Sequence, residues 1–183
     1  MQDGQLAHFK AYGQADREAG RAMQDDAIFR LASITKPIVT AAAMRMIELG
    51  KIALDTPVTD ILPDFKPKLP DGSAPTITIR HLLTHTAGLS YDFLQPENGP
   101  YNTIKVSAGI DGDITMEENL GRMVQAGLTF PPGAMWLYSV AIDVLGAILA
   151  KVEGTDVEGV VQKYVTGPLQ MKDTSFYLSL IHI

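Results

Sequence analysis

The chain has 183 residues, with 15 lysines and arginines against 21 aspartates and glutamates for a net charge of −6, 46% hydrophobic residues, 20% charged residues and no cysteine. A chain this apolar and this lightly charged buries enough surface to offset its ordering entropy, so general disorder is excluded and the size fits one globular domain or part of a larger one. The acidic balance argues against nucleic acid or anionic membrane as partners, and the lack of cysteine removes disulfides, thiol catalysis and thiolate metal sites.

Residues 5–13 (QLAHFKAYG) alternate in part and predict a strand, with a hairpin turn over 14–20 and a second short extended piece over 27–31. Residues 37–49 (PIVTAAAMRMIEL) predict a helix buried on nearly every side, closed by Gly50 at the C-terminal cap. The five prolines within residues 55–75 predict loop, with one short helix near 58–62. Thr78 can cap a short helix through Leu83, and residues 87–113 read as a long functional loop. Two capping-box patterns, Thr115-Met-Glu-Glu118 and Thr155-Asp-Val-Glu158, open helices ending near Gly127 and Val165. Between them, residues 139–152 place Val140, Ala141, Val144, Leu145, Ala147, Ile148 and Val152 at helical spacing, with Gly154 after the end. No apolar run reaches the roughly 18 residues of a membrane span, and the N-terminus MQDGQ does not read as a signal peptide, which favours the cytoplasm without fixing the compartment. The last six residues, 178–183 (LSLIHI), match the in-frame translation of a transposon-end sequencing adapter and are expected to be a non-native tail, leaving a partial domain over 1–177. Helices dominate, with strand material mainly near the N-terminus, and the fold class expected is α+β.

Ser33-Ile34-Thr35-Lys36 is the first candidate for chemistry. Three residues apart in a helical turn, the lysine amine reaches the serine hydroxyl, and the positive end of the following helix favours the anion that forms when serine attacks a carbonyl. Pro37 predicts a distorted first turn, because it cannot donate to the carbonyl of Ser33. The apolar helix beyond predicts that desolvation lowers the Lys36 pKa, making the amine a base. The same residues also read as a helix cap and a solvated first-turn lysine.

Tyr138, in Pro132-Gly-Ala-Met-Trp-Leu-Tyr-Ser139, is the second candidate: a phenol whose ionised form a lysine amine stabilises can shuttle a proton. Trp136 reads either as a packing residue or as a pocket wall. His81 and His85 could face one metal from a single helix, but no glutamate follows His81 and no third ligand suggests itself, so no metal site is assigned and His85 reads as a residue that fixes its turn.

FRLASITKP at 29–37, LGKIALDTPV at 49–58, ITIRHLLTHTAGLSY at 77–91, FPPGAMWLYSVAIDVLG at 130–146 and PLQMKDTSF at 168–176 resemble, in order, the serine β-lactamase-like superfamily, and within it the family VIII carboxylesterases that share the class C β-lactamase fold. The resemblance implies a β-lactamase/transpeptidase-like domain with its helical region and an incomplete antiparallel sheet. It implies Ser33 as the nucleophile of an acyl-enzyme, Lys36 as the group taking its proton, and Tyr138 as the relay to the leaving group. β-Lactamases usually carry asparagine two positions after that tyrosine, where it contacts the substrate; Val140 stands there and favours ester over lactam. The family's third motif, which supplies a second oxyanion donor, is missing, so weak activity is expected of this chain. The expected activity is hydrolysis of small carboxylic esters with no cofactor, the partner being the small-molecule substrate and the oligomeric state open. β-Lactamase or D-amino-acid peptidase activity, and non-catalytic binding of acyl ligands, remain the alternatives.

Overall fold

The computed structural model describes residues 1–109 and 114–177 and divides into two compact units, one of residues 1–31 with Tyr177 and one of Ala32–Phe176. In the first unit, β1 (Gln14–Asp16) pairs antiparallel with β2 (Arg21–Ala22), Gln14 opposite Ala22 and Asp16 opposite Arg21, with an irregular step between. β1 therefore lies in the segment expected to be turn and β2 just past it, while residues 6–12 and 27–31 carry no ladder pairing among the described residues. Alternation specifies which face a strand would bury. A ladder also needs a partner in register, and here the partner is the stretch just past the reversal, where the Asp16 carboxylate accepts the Ala19 N–H at 2.9 Å and the Met23 N–H reaches the Gly13 carbonyl at 3.0 Å.

The second unit is helical. A 3-10 turn (Ala32–Ile34) leads into α1 (Thr35–Glu48), followed by α2 (Val58–Ile61), α3 (Ile79–Leu83), α4 (Pro100–Thr103), α5 (Met116–Ala126), α6 (Ala141–Glu153) and α7 (Val157–Val161), which continues as a π-helical turn (Gln162–Thr166). Pro37 causes less disruption than its position suggests. With α1 starting at Thr35, the missing proline donor is one of the first four N–H groups, which have no intrahelical acceptor in any helix.

The core forms where α1 meets α6 and α7. α1 buries Val39, Ala42, Ala43 and Met46, a face at spacings of three and four, and leaves Met44, Arg45 and Glu48 outside. Burial on nearly every side was the expectation; the packing partners lie along one face only, and composition does not say which faces are covered. α6 is the central element, burying Ala141, Ile142, Val144, Leu145, Ile148 and Leu149. Gly146 lets α7 close on it, since a Cβ there would stand 3.3 Å from a Val157 methyl.

Caps follow the sequence with two changes. Thr115 accepts the Glu118 N–H at 3.1 Å, but the Glu118 carboxylate turns to Arg122 instead of returning to the cap. At α7 the cap is Asp156, one residue later than expected, accepting the Gly159 N–H at 2.7 Å. Thr78 caps α3 reciprocally with His81, whose Nδ1 accepts the Thr78 N–H at 3.1 Å. His81 is thus spent on a helix start.

The C-terminal end of α6 is tied down by charge. The Glu153 carboxylate, its side chain only 3% exposed, accepts from the ammonium groups of Lys51 and Lys163 at 2.5 and 2.6 Å and from the Tyr164 hydroxyl at 2.7 Å. Lys163 first, then Lys51 and Tyr164, hold its carboxyl down to about 2. A depressed carboxyl stabilises the fold above its unfolded pKa, and that contribution is lost as pH falls through the folded value. Glu153→Gln is therefore expected to cost about 1–3 kcal/mol at pH 7 in urea unfolding, with the deficit shrinking between pH 4.5 and about 2.

Candidate active site

Ser33 sits at the mouth of α1, exposed, one residue after Ala32, whose φ of 46° is in the left-handed region. A non-glycine residue held there stores about 1–3 kcal/mol of strain, which persists only where the surroundings over-determine it. Lys36, one helical turn on and half-buried, directs its ammonium to the Ser33 Oγ at 3.5 Å. Tyr138, just ahead of α6, donates its hydroxyl to the same Oγ at 2.7 Å. Of the five residues the sequence singles out, these three converge.

The remaining two part company. Trp136 is 65% exposed and meets the His85 ring edge-on at 6.3 Å between centroids. Val140 is 1% exposed, inside the core, with its N–H 3.4 Å from the Ser90 carbonyl. Its side chain has no surface to offer a ligand, which corrects the expectation that it lines the substrate site: position 140 lies on the side of the chain that turns into the core as α6 begins.

Two residues the sequence reading passed over complete the arrangement. Tyr91, 3% exposed, faces the Lys36 ammonium, which lies 5.4 Å from its ring centre and 5.0 Å from that of Tyr138. Asp143, in the first turn of α6, feels the Lys36 charge. Tyr91 closes the stretch 77–91 and Asp143 is the sole acidic residue between Val140 and Leu149; both positions were legible, their roles were not.

These groups push one another's titrations apart. Burial pushes Lys36 down, but its polar interactions with Tyr91 and Tyr138 outweigh it, and the net shift is upward. The amine is therefore ammonium, contrary to the expectation of a desolvated neutral base: the apolar helix removes water from Lys36, and two phenols replace it. Burial also raises Tyr138, yet its hydrogen bonds to Ser33 and Lys36 prevail and leave it below its ordinary value. Tyr91, enclosed further, is pushed up and stays a neutral phenol. Of two phenols beside one cation, burial decides which has its ionisation eased.

The loop carrying Tyr138 is fastened to the turn after α3. Thr129 donates both its N–H and its hydroxyl to the Gly88 carbonyl, at 2.8 and 2.9 Å, and the Gly133 N–H reaches the Thr86 carbonyl at 2.8 Å. Gly88 has φ 84°, and a Cβ there would stand 2.2 Å from the Phe130 carbonyl oxygen, so only glycine fits. Among the described residues no cluster of three metal-ligating side chains occurs, and no helix is long and apolar enough to cross a membrane.

A hydroxyl exposed between a phenol of lowered pKa and an ammonium is a constellation suited to nucleophilic attack. The beta-lactamase family model matches residues 1–181. This chain belongs to the beta-lactamase family. It is 48% identical over 174 residues to Esterase EstB of Burkholderia gladioli, a match covering 94% of this chain and 44% of that one. Among solved structures it resembles EstCE1, a hydrolase with promiscuous acyltransferase activity, at 46% identity and a TM-score of 0.90, covering 92% of this chain and 45% of that one. Unliganded simvastatin synthase (LovD) of Aspergillus terreus matches at 30% identity and a TM-score of 0.65, covering 87% and 42%. The chain thus spans less than half the length of these relatives. As a family member it carries the α+β, transpeptidase-like architecture expected from its motifs, with the helical region and a two-stranded antiparallel sheet. The expected tail, residues 178–183, lies outside the described residues.

Asp143 supplies a test of the electrostatics. Burial raises its carboxyl to about 6 despite the pull of Lys36. Between its unfolded value of 3.8 and about 6 the folded state holds the extra proton, so this group costs stability progressively as pH rises through that window and in full above it. Asp143→Asn is expected to raise the urea midpoint at pH 8 and to leave it nearly unchanged at pH 3.

Proposed function

We propose that the protein to which this chain belongs hydrolyses small carboxylic esters through an acyl-enzyme on Ser33. The observation that carries the reading is the meeting of three groups at one exposed oxygen: Ser33 Oγ, the Tyr138 hydroxyl at 2.7 Å and the Lys36 ammonium at 3.5 Å. The likeness to proteins named esterase and hydrolase supports the choice of substrate class.

In the proposed sequence the Tyr138 phenolate, held by the Lys36 ammonium, takes the Ser33 proton as Oγ bonds to the ester carbonyl carbon. The carbonyl electron pair moves to oxygen, where the Ser33 N–H at the positive end of α1 is one donor for the oxyanion. Collapse expels the alkoxide, which receives the proton from Tyr138, and a water then repeats the steps on the acyl-enzyme with the proton returning to Ser33. Proton transfer thus falls to Tyr138, with Lys36 as its electrostatic partner, because the directions of their shifts favour an ammonium–phenolate pair. Trp136, exposed beside His85, offers an apolar wall for the substrate.

Ester is favoured over lactam or peptide by the likeness to proteins named esterase and hydrolase. A coloured cephalosporin tested beside a short-chain nitrophenyl ester separates the two, turnover of the ester alone being expected. A fluorophosphonate should add its mass to the wild-type chain and not to Ser33→Ala; a wild-type chain that takes no adduct would defeat the hydrolase reading and leave acyl-ligand binding. Tyr138→Phe is expected to slow acylation about 10²–10⁴-fold. Acylation of the wild type should rise with pH as Tyr138 ionises below its ordinary value near 10, and Lys36→Met should move that limb to higher pH by removing the cation that lowers it.

A further inference from the structure

We propose that His85 is the positioning residue of the Tyr138 phenol, holding the backbone on both sides of it and one face of its ring. The inference rests on the reading of Tyr138 as a reacting group. The His85 carbonyl accepts the Leu137 N–H at 2.9 Å, and its Nδ1 accepts the Ser139 N–H at 3.3 Å with the Ser139 hydroxyl 3.4 Å away. The residues immediately before and after Tyr138 are therefore bonded to one histidine. Its imidazole also packs against the Tyr138 ring, at 5.0 Å between centroids and tilted by 43°, with Trp136 at its edge.

Position 85 earns these contacts through its backbone. With φ at 54° it lies in the left-handed region, which few non-glycine residues adopt and histidine more readily than most. That conformation ends α3 and lets carbonyl and ring address the same three-residue segment, 54 positions away in the chain for the Ser139 bond. Placing a reacting oxygen to within a few tenths of an ångström needs such support, since an error of about 1 Å costs on the order of 10²-fold in rate. The bonds also specify a tautomer. An Nδ1 that accepts an N–H carries a lone pair, so the ring proton sits on Nε2. Burial first, and the Lys36 charge second, keep the imidazole neutral by lowering its pKa.

Two variants of the full 183-residue chain test the proposal. His85→Gly keeps the carbonyl and tolerates the backbone conformation while removing the ring; His85→Asn tolerates it and returns an acceptor close to the Nδ1 position. With tyrosines labelled at the ring carbon bearing oxygen, and Tyr138 assigned by its loss in Tyr138→Phe, the wild-type phenol should titrate below its ordinary value. In folded His85→Gly that titration should move up towards 10, with fluorophosphonate labelling of Ser33 slowed about 10²-fold, and His85→Asn should recover most of both. A folded His85→Gly whose Tyr138 titrates as in the wild type overturns the proposal. The imidazole nitrogen spectrum of the wild type gives an independent reading that needs no variant: a proton on Nδ1 overturns it too. A wild-type chain with a low Tyr138 titration but no labelling would defeat the hydrolase reading and leave the role of His85 standing.

Discussion

The contact between the Ser33 and Tyr138 hydroxyls, 2.7 Å long and 105 residues apart in sequence, is the constraint to which the helical unit is built. Closing so long a loop costs entropy that no single hydrogen bond repays, so the packing of helices must bring the two ends together first. α1, which begins just after Ser33, and α6, which begins just after Tyr138, bury their apolar faces in one core and contact each other directly. The reacting groups lie at the N-terminal ends of these two packed helices, and their separation follows from the register in which α1 and α6 meet. Small residues on α1 allow that approach. A change in core volume there would be felt at the site, because close-packed interiors transmit displacement instead of absorbing it.

Within this frame one cation governs two phenols. Tyr91 and Tyr138 are chemically identical and both reach Lys36, yet they are pushed in opposite directions because one is almost fully enclosed and the other also bonds the Ser33 hydroxyl. Desolvation opposes charge on either ring, and only the less enclosed phenol gains enough hydrogen bonding to overcome it. Asp143 adds a buried acid whose carboxyl burial raises to about 6 against the pull of the Lys36 charge. The shifts of Lys36 and Tyr138 run in opposite directions, up for the amine and down for the phenol, as mutual support between a cation and a phenol's ionised form requires.

The relatives bear on how much of a protein this is. EstB, EstCE1 and LovD are each covered to less than half their length by a chain that they in turn cover almost completely. The three converging residues all belong to the unit Ala32–Phe176, so the nucleophile, its ammonium and its phenol come from one compact body. Of the non-glycine residues at positive φ in that body, Ala32 and His85 stand beside the site, one before the nucleophile and one beneath the phenol's loop.

Much of the helical unit was legible because local rules govern it. Gly50 and Gly154 stand past the ends of α1 and α6, Thr78 and Thr115 cap their helices, and the apolar spacing of residues 139–152 reports a buried helix wherever it packs. The strand material was not, since a strand exists only with its partner and the alternation of residues 5–13 names none. By itself the sequence determined the residue types, the one-turn spacing of Ser33 and Lys36 and the order of motifs that marks the family, all consequences of short-range geometry and inheritance. Tertiary structure alone decided that Val140 turns inward, that Tyr91 and Asp143 join the site, that His85 brackets Tyr138, and that Lys36 keeps its proton, because burial and charge at a point in space are sums over groups far apart in the chain.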